Sequence, residues 1–571
     1  MDTQRIIALI VFSASGLFLW EAWQKHNLPP AAPSQARVAS PTGKEGEVAS
    51  TAAIPAPTAP LTVSATTPIG APQQRAVSGK QISVRTDMFA IGIDGLGGDI
   101  RSIGLLKHAG HSKELSSFPL MQDKAGAYFV IQSGLLGPGL PNHTSTWSAE
   151  GDNFELRGGD SLDVTLTNHE TPGLTVNKTY SFKRGSYVIN VRYDIKNETA
   201  APINPSAYFQ FLRDAHPPEG ERGSGGSPLG FLTSGVVTFN GPAVYTEQKK
   251  YQKVAFSDID KAKTDKSKLT YPKESTDGWI AMVQHYFVSA WLPIGDVKRE
   301  FFTEKATDTL YTAGVVVPVS TVVAGGTGSI TMPLYAGPQE QEKLKQLAPG
   351  LDLVVDYGWL TILAYPMFVV LSWIHNLVGN WGWTIIIFTI LIKLVFFPLN
   401  QKAGKSMAHM KQLAPKIEAM KARYGDDKLK MNQAMMELYR TEKINPLGGC
   451  LPILVQMPFF IALYWVLLGA VELRNAPWIG WISDLSTPDP FYVLPIIMGA
   501  SMLVQTKLNP APADPVQAKV MMIMPLVFSI MFFFFPAGLV LYWTMQNLLG
   551  IAQQWYINKS LEAATPKLAK R

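Results

Sequence analysis

Residues 383–398 read WTIIIFTILIKLVFFP. The run is apolar enough to cross a bilayer, yet Lys393 lies inside it, and beyond Pro398 the chain turns strongly basic. A lysine near the centre of a membrane helix costs about 2.5–3.5 kcal/mol on insertion scales, so an intramembrane charge is a functional-site hypothesis by default. Either the ammonium serves a hydrated cavity or it snorkels to the nearby membrane surface. On a straight helix Thr389, Lys393 and Asn400 fall within about 40° of one another, which predicts a polar stripe along one face. Other apolar segments contribute Gln456, Ser501, Gln505, Tyr542, Thr544, Gln546 and Asn547. Polar groups in lipid face a bundle interior or a wet cavity, so the matching residues favour the cavity.

Charge sets the topology. The loop from Gln401 to Glu442 carries Lys402, Lys405, Lys411, Lys416, Lys421, Arg423, Lys428 and Lys430 among its basic residues, an excess over its carboxylates. The positive-inside rule places such a loop in the cytoplasm. Upstream, Trp359–Val378 and Trp381–Pro398 are separated only by Gly379 and Asn380. If both crossed, the basic loop would be external. Only the second is therefore expected to span, and the first, with Pro366, Ser372 and His375, to lie as an amphipathic helix in the external interface. The basic loop, 399–446, reads as a cytoplasmic helical hairpin broken at Tyr424-Gly425-Asp426-Asp427. Its Gly404-Lys405-Ser406 is no phosphate loop, because Leu399 stands where the first glycine belongs and no strand precedes it.

Four further spans are expected within 447–556. One covers about Leu447–Val471 and another Tyr492–Lys507. The 39 residues from Ala518 to Tyr556 would make a helix of about 58 Å, too long for a hydrocarbon core of about 30 Å, so they divide at Pro536-Ala537-Gly538. Residues 1–26, with Arg5 ahead of Ile6–Trp20 and no small-residue cleavage site, read as an uncleaved anchor. The total is six spans with both termini in the cytoplasm, closed by a basic tail over 557–571.

Between anchor and bundle the pattern changes twice. Residues 27–80 are rich in Pro and Ala and are expected to be disordered. From 81 to 338 short alternating runs predict a large antiparallel β-sandwich, exported by the anchor. In SYVINVRYDI, Tyr187, Ile189, Val191, Tyr193 and Ile195 point one way. In LTVNKTYSF, Leu174, Val176, Tyr180 and Phe182 share a face, and Lys183-Arg184-Gly185 reads as the turn between the two strands. Residues 339–380 form the connector and the interfacial helix.

The chemistry of the chain is sparse. Its net charge is +6, and its single cysteine, Cys450, excludes an intrachain disulfide. His108, His111, His143, His169, His216 and His285 show no spacing that marks a metal site. No cofactor and no enzymatic activity are expected. Methionines are frequent in the basic loop and the spans, where flexible thioethers suit a surface that meets varied apolar partners, although they also serve as ordinary core filler.

At this point the residues carry a resemblance. INPLGGCLPILVQMPFFIALYWVL (Ile444–Leu467), GNWGWTIIIFTILIK, YGDDK and FPAGLVLYW resemble the YidC/Oxa/Alb family of membrane protein insertases, in the Gram-negative form with a large periplasmic domain. The resemblance implies an inner-membrane insertase and chaperone, acting alone or with the Sec translocon, whose spans enclose a hydrophilic groove. The family's groove charge is usually Arg; here Lys393 holds the position, keeping the charge without the planar five-donor fork. Thr389, Asn400, Gln456, Phe460, Tyr542 and Trp543 are the further groove residues expected. The implied partners are nascent membrane proteins, Sec components, the ribosome, signal recognition particle and its receptor, and anionic phospholipids, with no specific nucleic-acid sequence. Two other classes fit the residues alone: a secondary transporter coupled through Lys393, and a membrane-anchored glycan-binding protein.

Overall fold

The computed structural model describes residues 79–108, 117–124, 126–216, 239–424, 427–442, 451–508 and 515–564. They form two compact units, one ending at Val354 and the other beginning at Val355. The expected anchor and nearly all of the linker, His111, Cys450 and most of the basic tail lie outside the described residues.

Alternation builds the first unit. The strand Val188–Asn197 pairs antiparallel with Leu174–Lys183 on one side and Thr327–Pro338 on the other. Ile189, Val191 and Tyr193 are fully buried while Arg192 on the opposite face is exposed. Gly185 turns the chain between the strands at φ 69°, a left-handed value that a residue without Cβ adopts freely. A nine-stranded sheet runs, in spatial order, through Lys250–Lys253, Gly241–Thr246, Trp279–Val283, Phe287–Trp291, Thr327–Pro338, Val188–Asn197, Leu174–Lys183, Ser161–Asn168 and Ser148–Ala149. A ten-stranded sheet runs through Glu274–Ser275, Arg299–Lys305, Leu310–Pro318, Ser206–Asp214, Ala127–Leu136, Phe118–Lys124, Asp99–Leu105, Phe89–Asp94, Gln81–Arg85 and Asn153–Glu155. Their inner faces meet through aromatic rings: Trp291 of the first lies 5.1 Å from Phe209 and 5.8 Å from Phe211 of the second. Each such side chain contributes roughly 1.5–3 kcal/mol by leaving water.

One inward position is not apolar. Lys178 shares its strand face with Val176 and Tyr180 and is fully buried. Its Nζ donates to the carbonyls of Gly97 (3.3 Å) and Ser133 (3.4 Å) and lies 5.4–5.8 Å from the ring centres of Trp147, Tyr180 and Tyr193. Gly98, at φ +57°, makes the room: a Cβ there would stand 3.3 Å from Cδ of Lys178. Burial pushes the Lys178 ammonium down to about 8, against the opposing pull of Asp99.

Two short helices, α1 (Phe256–Ala262) and α2 (Gln341–Leu347), belong to the first unit. The second unit is helical: α3 (Thr361–Val378), α4 (Trp381–Val395), α5 (Phe397–Gln412), α6 (Ala414–Tyr424), α7 (Lys428–Thr441), α8 (Leu451–Gly469), α9 (Val493–Leu508), α10 (Pro515–Phe532) and α11 (Ala537–Ala564). α3 ends at Gly379 in the left-handed region, and the Asn380 side chain caps α4 by accepting from the Trp383 amide at 3.2 Å. α3 is itself long and apolar enough to cross a membrane, with Ile362 and Leu377 strongly exposed. Its expected place in the interface therefore rests on the charge argument alone. Residues 518–556 divide between two helices, with the turn at Phe533–Pro536 rather than at the expected Pro536-Ala537-Gly538, because Ala537 and Gly538 already open α11. There the first free amides of α11, at Ala537 and Gly538, donate to the carbonyls of Thr487 and Leu485 at 2.8 and 2.9 Å.

Two expectations change. The straight polar stripe through Thr389, Lys393 and Asn400 does not exist, because α4 and α5 meet at a 65° bend and Asn400 lies beyond it. Phe396 leaves helical geometry (φ −87°, ψ 3°), and Pro398 has no N–H to return to the last turn of α4. The basic loop is also three helices rather than one hairpin: α6 and α7 form the hairpin, while α5 packs on α11, where a Cβ on Gly404 would lie 2.6 Å from Cδ1 of Ile557.

Candidate functional site

Lys393 stands twelve residues into α4, about 18 Å along its axis. Its neighbours come from two other helices. A Cβ built on Gly550 of α11 would lie 3.6 Å from the Lys393 ammonium and 3.3 Å from Nε2 of Gln505 on α9. Lys393 is half-buried, and among the described residues it has no ion pair or hydrogen bond. A cation in such surroundings keeps its charge-pairing capacity for a ligand or water.

The other expected groove residues separate into three groups. Thr389 is fully buried, and its Oγ1 donates to the Ile385 carbonyl at 2.6 Å, so it serves its own helix and lines no open space. Asn400 and Gln456 meet: Nε2 of Gln456 donates to Oδ1 of Asn400 at 3.2 Å, tying α8 to α5. Phe460, Tyr542 and Trp543 form an aromatic contact between α8 and α11, with Phe460 edge-on to Trp543 at 4.3 Å and stacked on Tyr542 at 6.1 Å. Trp543 also lies 5.0 Å from Phe532 of α10. Such pairs contribute about 0.5–1.5 kcal/mol beyond their buried area.

Below this contact the polar residues of α9 and α11 divide by burial. Ser501 and Asn547 are buried and joined, Nδ2 of Asn547 donating to Oγ of Ser501 at 3.2 Å. Gln546 and Gln553 are not joined: Oε1 of one and Nε2 of the other are buried without a partner among the described residues. Sequence reasoning named neither Gly550 nor Gln553. The available signal was a glycine inside a 28-residue helix, where it costs about 1 kcal/mol relative to alanine and implies a reason for being there.

The expected recruitment residues lie on α5–α7. Lys402, Lys405, Lys416, Arg423 and Lys430 are exposed; the side chains of Lys411, Lys421 and Lys428 lie outside the described residues. Lys416 pairs with Glu442 at 2.6 Å and Lys430 with Asp427 at 3.1 Å, both on the surface. Asp427 caps α7, and the Lys430 amide holds its carboxyl below the usual carboxylate range.

Two family models cover nearly all of the described chain: the YidC periplasmic domain over residues 81–370, and the 60Kd inner membrane protein over residues 373–564. The chain is 50% identical to the membrane protein insertase YidC of Aromatoleum aromaticum over 99% of its own length and 98% of that protein. This chain belongs to the YidC family. The YidC of Methylobacillus flagellatus is likewise 50% identical over 99% of both chains. A crystal structure titled as an active YidC insertase with its first transmembrane domain resolved aligns over 85% of this chain and 95% of its own, at 19% identity and a TM-score of 0.41. In YidC terms the β-sandwich unit is the periplasmic domain of an inner-membrane protein, and the helical unit is the 60Kd portion. YidC proteins are insertases and not enzymes.

Proposed function

We propose that this chain inserts proteins into the bacterial inner membrane and assists their folding, alone or beside the Sec translocon. Residues 1–26 and the helical unit supply six spans with both termini in the cytoplasm, and α3 lies in the external interface. A client's short hydrophilic segment enters from the cytoplasm between α4, α8 and α11 and comes to rest near Lys393. Its apolar segment slides past the exposed apolar side chains of α9 and α10, among them Ile496, Val504, Met522 and Val527, into lipid.

One observation carries the reading: a half-buried ammonium within an apolar bundle, with the Gln505 amide nearby and no counter-carboxylate among the described residues. An unpaired charge there costs several kcal/mol unless hydrated or matched. A wet groove accounts for it, and an acidic client group completes it. The client provides the driving force, since about 20 apolar residues at roughly −0.3 to −0.6 kcal/mol each outweigh the passage of a short polar segment. No covalent bond changes and no cofactor is called for. The basic surface of α5–α7 meets the ribosome, the signal recognition particle and its receptor, or anionic phospholipid, each by charge.

Photo-crosslinkers at Gln456, Gln505 and Trp543 in ribosome-bound insertion intermediates test the groove. Thr389 is unsuitable because it is fully buried. Client adducts are expected at all three positions, and their absence at all three would remove the groove from the mechanism.

A further inference from the structure

Three helices converge beside the Lys393 ammonium, and the one from α11 arrives without a side chain. The register is consistent along the pair: Asn547 meets Ser501, and one turn further Gly550 meets Gln505. Depth agrees as well. Gly550 lies thirteen residues into α11 and Lys393 twelve into α4, about 20 and 18 Å along their axes. Gln546, Gly550 and Gln553 share one face of α11 at helical spacing, and the two amides flanking the glycine have buried, unpartnered polar atoms among the described residues. An interior glycine weakens a helix relative to alanine. Its gain must come from the space it leaves.

We propose that Gly550 is a specificity-determining position: lacking a side chain, it keeps open the volume beside Lys393 that a client carboxylate occupies when it pairs with the ammonium. The proposal rests on the groove reading above and adds to it the residue that sets access to the charge. A Cβ at 3.6 Å from Nζ and 3.3 Å from Gln505 Nε2 fits as alanine only if Gln505 gives way slightly. The branched methyls of valine fill the volume outright. The carboxylate then stands off by roughly 2 Å; moving a unit pair from about 4 to about 6 Å at an effective dielectric near 20 weakens it about tenfold.

The test uses the full-length protein in proteoliposomes with two single-span clients that differ only in their translocated tail, one neutral and one bearing two aspartates. Gly550→Val is expected to lower the ratio of acidic to neutral insertion about tenfold and Gly550→Ala less, the ratio being the readout whatever either change does to the neutral client. Thermal unfolding in detergent checks folding, and the alanine variant should be at least as stable as the parent. A loss shared equally by both clients, or no loss with either, overturns the proposal. Lys393→Gln run in parallel separates the two levels. If it lowers the same ratio while Gly550→Val does not, the role of Gly550 falls and the groove stands; if Lys393→Gln leaves the ratio unchanged, the groove charge itself falls.

Discussion

Lys178 and Lys393 are both withdrawn from bulk water, but only Lys178 is enclosed by fixed partners. Two carbonyls and three aromatic rings surround its ammonium, and Asp99 stands close enough to act on it while also accepting from Gln132 at 3.1 Å. In the native fold Lys178 gives up its proton near pH 8, in the unfolded chain near its ordinary value of 10.5. Between those limits the unfolded chain binds more protons, so this residue makes stability rise with pH. Below pH 8 the burial penalty is present in full. Lys178→Met removes that penalty, and Asp99 keeps Gln132 and the nearby guanidinium of Arg101. The variant is expected to exceed the parent by about 1–3 kcal/mol at pH 7, since apolar replacement of a buried charge is often stabilising. The difference should shrink toward zero by pH 10, as read from denaturant unfolding of the full chain; a difference independent of pH would refute the account. Alternation made the inward face of this strand legible from Leu174, Val176, Tyr180 and Phe182. It passed over Lys178 because a rule that counts apolar residues is silent on the charge between them.

Helices were legible as apolar runs, and so were the breaks after Val378, after Tyr424 and near Pro536, but the bend inside 383–398 was not. The segment 383–398 reads as one rod, and the bend at Phe396 enters through the missing amide of Pro398, a signal present in the sequence but outweighed by the hydrophobic run around it. The bend decides what α5 can touch, because it turns Gly404 toward Ile557 and Gln554 of α11. A phosphate-loop reading of Gly404 fails for lack of a preceding strand; close helix approach is the reason for the residue. Gly404→Leu should force α5 off α11 at a cost of about 1–3 kcal/mol, the usual range for overpacking. A lowered unfolding temperature in detergent, with no change on Lys405→Leu one position along on the exposed face, is the expected result. Equal tolerance of both changes would mean that α5 is not held there.

At the scale of the molecule, each unit carries its own core, the sandwich closing over Trp279, Trp291, Tyr193 and Phe209 and the helical unit over Leu463, Val466, Met498 and Val540. Deleting residues 81–338 while keeping the anchor and linker is therefore expected to leave client insertion within about twofold of the parent in proteoliposomes, because no groove residue is lost. A larger loss would assign the sandwich a direct part in insertion. The β class of this domain could be read from alternation and turns, as could the start of its first strand at Gln81 and the end of its last at Pro338, although the compact unit runs on through α2 to Val354. Strand order could not, since pairings such as Gln81–Arg85 with Asn153–Glu155, parallel and some seventy residues apart, depend on contacts that local pattern does not encode. The order has a consequence for a domain assigned to the periplasm, where other chains arrive unfolded. Both sheets are open, and an open sheet is a template for any extended peptide. Yet the edge strands among the described residues, Glu274–Ser275, Asn153–Glu155, Lys250–Lys253 and Ser148–Ala149, are only two to four residues long, and one of them begins and ends in lysine. A passing chain that meets one of these strands finds too short a ladder to hold it.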